Sequence, residues 1–206
     1  MKRALTLGVV AMAAAAVFAS TRQLAAQPAT SSPVRFTAAG ELMRPDDFRE
    51  WVFLSAGLGM NYNEPAPGAP PRRAAFTNVF VNPASYREFM KSGKWPEQTM
   101  FILEIRGATT EGSINKGGSY QAGIMAVEAE VKDSARFPGG WAYFDFGATR
   151  DRVAALPTTA SCYTCHKDNG AVEQTFVQFY PSLMEVARKL GTVRSSYDAA
   201  NPHHPQ

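Results

Sequence analysis

The sequence predicts an α+β domain: an antiparallel β-sheet with a few flanking helices. Three observations carry this. Four stretches have the alternation or apolar continuity of strands: Phe76–Val81, Thr99–Arg106, Ile124–Lys132 and Trp141–Phe146. No helical pattern separates the last three, so hairpin connections, and hence antiparallel pairing, are expected. Helical spacing is confined to short stretches outside that run, which places helices on one face or at the ends of the sheet. The chain has 206 residues, 45% of them hydrophobic, enough for one ordinary domain with flanking segments.

Taken in order, Lys2 and Arg3 precede an alanine-rich apolar run from Ala4 to Ala19, which is too short and too weakly hydrophobic for a comfortable membrane span. This pattern predicts a signal peptide over residues 1–26, cleaved after Ala19 or Ala26, with an uncleaved anchor as the alternative. The expected destination is the periplasm or another exported location. Removal through Ala26 takes Lys2, Arg3 and Arg22 from 21 basic residues and none from 18 acidic ones, leaving 18 against 18. A neutral mature chain without a basic stripe is not built for nucleic acid.

A linker is expected over 27–40, with Val34-Arg35-Phe36 as a short strand or extended arm, followed by a domain over 41–191. Pro45-Asp46-Asp47 reads as a helix start, with Phe48, Trp51, Val52 and Ser55 on one face, Trp51 as a core anchor, and Gly57 and Gly59 as the stop. The stretch from Asn61 to Arg73 holds four prolines and reads as a surface loop. After the strand Phe76–Val81, Asn82 reads as a helix cap and Pro83 as the first helical residue. Tyr86, Phe89 and Met90 form the apolar face, and Gly93 takes the left-handed end. The strand Thr99–Arg106 gives way to a polar loop from Gly107 to Gly118. Pro181 opens a last amphipathic helix with Leu183, Met184, Ala187 and Leu190 on one face, and 192–206 reads as a flexible tail.

Cys162-Tyr163-Thr164-Cys165-His166 carries the chemistry. Two thiols three positions apart and an adjacent histidine form the pattern that attaches a c-type haem: each thiol adds to one vinyl group, and the imidazole ligates the iron. A zinc site would need four ligands, and beyond this pentapeptide the chain offers only His203 and His204 in the tail. A thioredoxin-like dithiol or an ordinary disulfide leaves the histidine unexplained. A chance match is weakened because both cysteines of the chain fall inside the motif. One haem c is therefore expected, held by Cys162 and Cys165, with His166 as the metal ligand. The motif's late position, behind the sheet, argues against a small helical electron carrier.

The ordered series of segments resembles the cytochrome P-460 family, which includes the c-prime-beta cytochromes, over about Glu41 to Leu190. Its marks are Phe48-Arg49-Glu50-Trp51-Val52, Phe76 through Asn82-Pro83 with Tyr86, Gly93-Lys94-Trp95-Pro96, Val131-Lys132-Asp133, Gly140-Trp141-Ala142, the haem motif, and Phe176 to Pro181. The resemblance implies an exported, usually homodimeric protein with one c-type haem, a proximal histidine at His166, an open distal position, and small nitrogen ligands or substrates. It also implies that the segments bearing Phe76, Phe80, Phe101 and Leu103 approach the haem. Family members that oxidise hydroxylamine carry a lysine cross-linked to the haem from the strand that is Thr99–Arg106 here. This strand has no lysine, Leu103 stands at the linking position, and Lys91 and Lys94 lie before it.

An open iron is the expectation. Met60, Met100 and Met125 read as core filler or surface rather than as a sixth ligand, and Glu104, Glu128 and Glu130 as solvated sheet face. The leading functional expectation is a cytochrome that binds nitric oxide or a related small nitrogen ligand. An apolar pocket favours neutral ligands because a buried charge without partners is costly. The rivals are oxidation of hydroxylamine or nitric oxide, plain electron transfer to an unspecified redox partner, and a haem-free binding module.

Overall fold

A computed structural model describes residues 33–62 and 74–200. The expected signal peptide, the first part of the expected linker, nearly all of the proline-rich stretch and the tail histidines lie outside them. No described helix is long and apolar enough to cross a membrane.

Five antiparallel strands form the main sheet in the order β2 (Val52–Leu58), β3 (Ala75–Val81), β4 (Met100–Thr109), β5 (Tyr120–Lys132) and β6 (Trp141–Gly147). The fold is thus α+β with an antiparallel sheet. Two short strands, β1 (Leu42–Met43) and β7 (Arg152–Val153), pair beside it. Among the described residues the helices are α1 (Pro83–Ser92), α2 (Ser161–Asn169), α3 (Pro181–Lys189) and α4 (Ser195–Ala200).

The pleat divides the sheet into two differently clad faces. Across one face run Val81, Phe101, Glu130 and Tyr143, which are register partners from β3 to β6, and one step along run Val79, Leu103, Glu128 and Asp145. The opposite face carries Met100, Ile102, Val127, Ala129, Val131, Ala142, Phe144 and Phe146. It closes over Leu42, Phe48, Trp51 and Val153 to make the first core, in which Leu42, Met100 and Ile102 are fully buried. A second core on the first face joins Val81 and Phe101 to Phe89 of α1, Trp95, Trp141, and Leu183 and Ala187 of α3.

The start of α1 differs from expectation in one detail. Asn82 does not cap the helix; its Oδ1 accepts the buried Met100 N–H at 2.8 Å and ties the helix entrance to β4. Gly93 ends the helix at φ 68°, as a left-handed terminus requires. Tyr86 and Phe89 pack inward while Met90 is exposed, and in α3 Leu183, Met184 and Ala187 are buried while Leu190, past the last turn, is exposed.

Three stretches depart further. The helix expected from Pro45 to Ser55 does not form. Phe48 and Trp51 enter the first core from a single 3-10 turn, Phe48–Glu50, and the chain then becomes the edge strand β2, paired with β3 from Val52↔Val81 to Leu58↔Phe76. Its Ser and Gly residues favour a helix little, and the ladder satisfies its backbone instead. Strand β4 runs on to Thr109, three residues into the expected loop, through irregularities on either side of Arg106. The expected tail contains α4, whose Tyr197 is buried in the second core.

Glu104 overturns the reading of a solvated sheet carboxylate. It is 3% exposed and accepts hydrogen bonds from Arg49, from Arg106 Nε at 2.9 Å and from Asn78 Nδ2 at 3.3 Å. Burial pushes its carboxyl up, but the hydrogen bonds and charges of the two guanidinium groups outweigh this and hold it below the ordinary carboxylate range. A carboxylate depressed in the folded state contributes stability above its unfolded pKa and loses it as pH falls through the folded one. Glu104→Gln is therefore expected to cost roughly 1–3 kcal/mol at pH 7, and the difference between variant and parent shrinks below pH ~4. Denaturant titrations at the two pH values check this.

Candidate functional site

The haem motif folds as the helix α2. At helical spacing Cys162, Cys165 and His166 occupy positions i, i+3 and i+4, one face of a single turn. That face meets the sheet across a cavity of about 470 Å³, within the range of small-molecule and cofactor sites. The sheet supplies Val79, Phe101, Leu103, Glu128, Glu130, Tyr143 and Asp145, while Cys162, Cys165 and His166 line the helical side. Phe176, Phe179, Tyr180, Met60 and Tyr62 also line it, and Ser55, Gly57 and Thr77 extend it towards β2. A second cavity of about 280 Å³ lies on the far side of a wall formed by Tyr62, Cys165, Phe176 and Phe179, against Ser196, Tyr197 and Ala200.

Several contacts hold α2 in place. The Tyr163 ring stands edge-on to Tyr143 at 4.8 Å and its hydroxyl donates to the Leu156 carbonyl at 3.1 Å. At the other end Arg194 donates to the carbonyls of Lys167 and Asp168, satisfying acceptors that a helix C-terminus leaves open. Gly170 follows. A Cβ there would lie 2.7 Å from the Thr175 nitrogen, so only glycine lets the next loop fold back on the helix.

The His166 imidazole packs against the tilted rings of Tyr143 and Phe176, with ring centroids 4.5 and 4.2 Å away. Its Nδ1 lies 2.9 Å from the Gln174 carbonyl and 3.5 Å from Glu130 Oε1. Burial alone would lower its pKa, but the nearby Glu130 carboxylate, the Gln174 carbonyl and the Glu128 charge outweigh that and raise it. With Nδ1 engaged by a carbonyl, Nε2 is the nitrogen left to donate to a metal.

Burial also raises the carboxyls of Glu128 and Glu130; the charge of Asp145 adds to the rise at Glu128, and His166 opposes it at both. The Tyr143 hydroxyl donates to Glu130 at 3.4 Å, and burial with that neighbouring charge pushes the phenol far up. The Cys162 thiol is raised mainly by burial and then by the Glu128 charge, which does not suit the activated thiolate of a redox dithiol. Both cysteines are free. Among the described residues no group of three or more His, Cys, Asp and Glu is arranged to hold a metal ion by itself.

Of the residues expected near a haem, the structure brings Cys162, Cys165, His166, Phe101 and Leu103 to one cavity. It does not bring Phe76 and Phe80 there. Because Val79 and Val81 pair with Leu103 and Phe101, the even-numbered residues of β3 point to the opposite face, where Phe80 packs edge-on against Phe48 at 5.7 Å. Met100 is buried in the first core and Met125 is exposed, whereas Met60 lines the cavity. Lys91 is exposed beside Glu88, and no lysine among the described residues lines the cavity. Sequence reasoning missed Glu128, Glu130, Tyr143 and Phe176. Once Leu103 is taken as cavity-facing, its antiparallel partner Glu128 and the next same-face residue Glu130 follow, but only if the register is known.

The family profile described as Cytochrome P460 matches residues 45–177, well over half of the chain. The chain belongs to the cytochrome P460 family. A search of curated proteins finds no match. As a haem cytochrome of this family, the chain needs a cavity with room for the macrocycle, donors for it and apolar walls. The cavity beneath α2 fits: two free thiols and one imidazole share its rim, and Phe101, Leu103, Phe176 and Phe179 supply much of its surface.

The Arg194 contacts tie the residue just ahead of α4 to the end of the motif helix. Arg194→Ala is expected to cost roughly 1 kcal/mol and to speed amide hydrogen exchange at the end of α2 while leaving β4 and β5 protected.

Proposed function

We propose that this chain is an exported mono-haem c-type cytochrome that binds a small neutral nitrogen ligand, nitric oxide or a close relative, on the open side of its haem. Cys162 and Cys165 hold the haem through thioethers and His166 Nε2 ligates the iron. The observation that carries the reading is that α2 sets both thiols and the imidazole on the rim of one largely apolar cavity whose facing strand presents Leu103. Once bound, the haem supplies an iron centre able to coordinate diatomic and small nitrogen ligands.

The chain's own residues set what reaches that centre. Phe101 and Leu103 furnish apolar surface on the sheet side. Glu128, Glu130 and Asp145 put acidic groups in the same wall, and among the described residues no lysine or arginine lines the cavity, so small anions such as nitrite are disfavoured and neutral species admitted. Export brings the thiols to an oxidising compartment, where a maturation system must keep them reduced until attachment. A homodimer, with a separate redox partner protein, is the assembly we propose.

Optical and resonance Raman spectra of the ferrous protein with and without nitric oxide, together with mass spectrometry of its haem peptides, test the reading. The expected result is one haem on the peptide spanning Cys162–His166, a five-coordinate ferrous iron and a nitrosyl adduct. A third covalent link to a lysine, or a low-spin ferric haem that becomes high-spin in Met60→Ala, would overturn it.

A second reading, oxidation of hydroxylamine, is favoured by one observation. Glu128 lines the cavity with its carboxyl held above the ordinary range, so a proton acceptor is available there. If the protein reduces an electron acceptor with hydroxylamine, Glu128→Gln is expected to slow turnover by about 10²- to 10⁴-fold while nitric oxide still binds. Absence of turnover in the parent removes this reading.

A further inference from the structure

Two of the stretches that mark the family resemblance, Gly93–Pro96 and Val131–Asp133, contribute nothing to the lining of the cavity. They meet each other instead. Lys132 Nζ donates to the Trp95 carbonyl at 2.7 Å and to Glu173 Oε2 at 2.7 Å, and the Trp95 N–H reaches Glu173 Oε1 at 3.3 Å. The Trp95 indole N–H donates to Thr175 Oγ1 at 2.9 Å, and that hydroxyl donates to the Val172 carbonyl at 2.7 Å. All of this converges on one four-residue turn, Val172 to Thr175, closed by the Thr175 N–H on the Val172 carbonyl at 3.0 Å.

The turn is not one the backbone adopts freely. Glu173 sits at φ 52°, in the left-handed region that a side chain disfavours. Such a conformation persists where surrounding contacts hold it, and here they do: the Glu173 carboxylate has the Lys132 ammonium on one oxygen and the Trp95 N–H on the other. Trp95 and Thr175 are 2% and 1% exposed, so the anchor is set in the second core. The turn presents the Gln174 carbonyl to His166 Nδ1 at 2.9 Å, ahead of the Glu130 carboxylate at 3.5 Å.

We infer that Lys132 is a positioning residue for the proximal histidine: through Glu173 and Trp95 it holds the turn that makes the Gln174 carbonyl, rather than the Glu130 carboxylate, the acceptor of the His166 Nδ1–H. The acceptor behind a metal-ligating histidine fixes its tautomer and sets how strongly it donates to the metal. A neutral carbonyl makes the imidazole a moderate donor, whereas a full carboxylate would make it a strong one. The inference rests on the reading that His166 Nε2 ligates the iron.

The test is the iron–histidine stretching band in resonance Raman spectra of the full-length ferrous cytochrome, haem attached, compared with Lys132→Met and Lys132→Arg. In Lys132→Met the band is expected to move: downward where Nδ1–H loses its acceptor, upward where Glu130 takes it. In either case the Gln174 carbonyl has been released. Lys132→Arg, which can still donate to Glu173, is expected to return the band to the parent position. If Lys132→Met does not accumulate as folded protein, Glu173→Gln, which keeps the side-chain shape and removes the charge, is read in the same way. A band unmoved in a variant with parental circular dichroism overturns the inference alone. Absence of the band from the parent overturns the His166 ligation, and this inference with it.

Discussion

The pairing of β4 with β5 is the constraint from which the rest of the molecule follows. Leu103 opposite Glu128 and Phe101 opposite Glu130 put Glu128, Glu130 and Lys132 on the face beneath α2, and leave Val127, Ala129 and Val131 for the first core. A slip of one residue would exchange the two sets. It would bury three charged side chains among Met100, Ile102 and Phe144 and turn three apolar ones to the cavity. Because ions transferred without partners into an apolar interior cost several kcal/mol each, the register is specified by charge as much as by apolar burial.

The face so defined is not uniform. Toward the α1 and α3 end, Phe89 stacks on Trp95 at 4.1 Å and Trp95 meets Phe101 edge-on at 4.7 Å, a packed aromatic layer that leaves no room for a cofactor. Beneath α2 the same face opens into the cavity, because Val79 and Leu103 are shorter and Glu128 and Asp145 keep polar tips. Phe101 lies at the boundary and belongs to both regions. The rigid layer therefore backs one wall of the site, and each aromatic pair adds roughly 0.5–1.5 kcal/mol to the layer beyond its burial.

Much of this was legible in the sequence, and the failures share a physical cause. Four of the five main strands, the proline-led helices and the glycine terminus of α1 were written in local pattern, since local propensity and tertiary demand agree there. The motif pointed to Cys162, Cys165 and His166 because attachment chemistry is contiguous. What local pattern does not encode is which face of a strand meets which element. Phe76 and Phe80 resemble Phe101 and Leu103 in composition, yet the β3–β4 pairing sends them to the opposite side. Glu128 and Glu130 read as a wet edge because alternating acids usually are one; only the arrival of α2, some thirty residues later in the chain, closes over them. The stretch before Ser55 looked helical for a similar reason. Phe48 and Trp51 do share a side, but they reach it from one tight turn before an edge strand.

The half-buried Glu128 and the buried Glu130 also explain why the His166 side of the cavity is so heavily anchored. An imidazole flanked by Glu130 on β5 has an attractive wrong partner within 3.5 Å, and its nitrogen would turn to the carboxylate unless something nearer and fixed took the hydrogen bond. A free loop carbonyl would lose that competition, because a charged acceptor is roughly twice as strong as a neutral one. The competition is reversed only by geometry. Gly170 lets the loop close on the end of α2, Glu173 bears the strained dihedral, and Trp95, Lys132 and Thr175 hold the carbonyl at 2.9 Å. Glu130 accepts from the Tyr143 hydroxyl at 3.4 Å and remains buried at the edge of the site as a neighbouring acid, 3.5 Å from the histidine nitrogen. Anchoring on this side and the acidic wall facing the cavity thus arise from a single fact of the fold, the projection of Glu128, Glu130 and Lys132 from one face of β5.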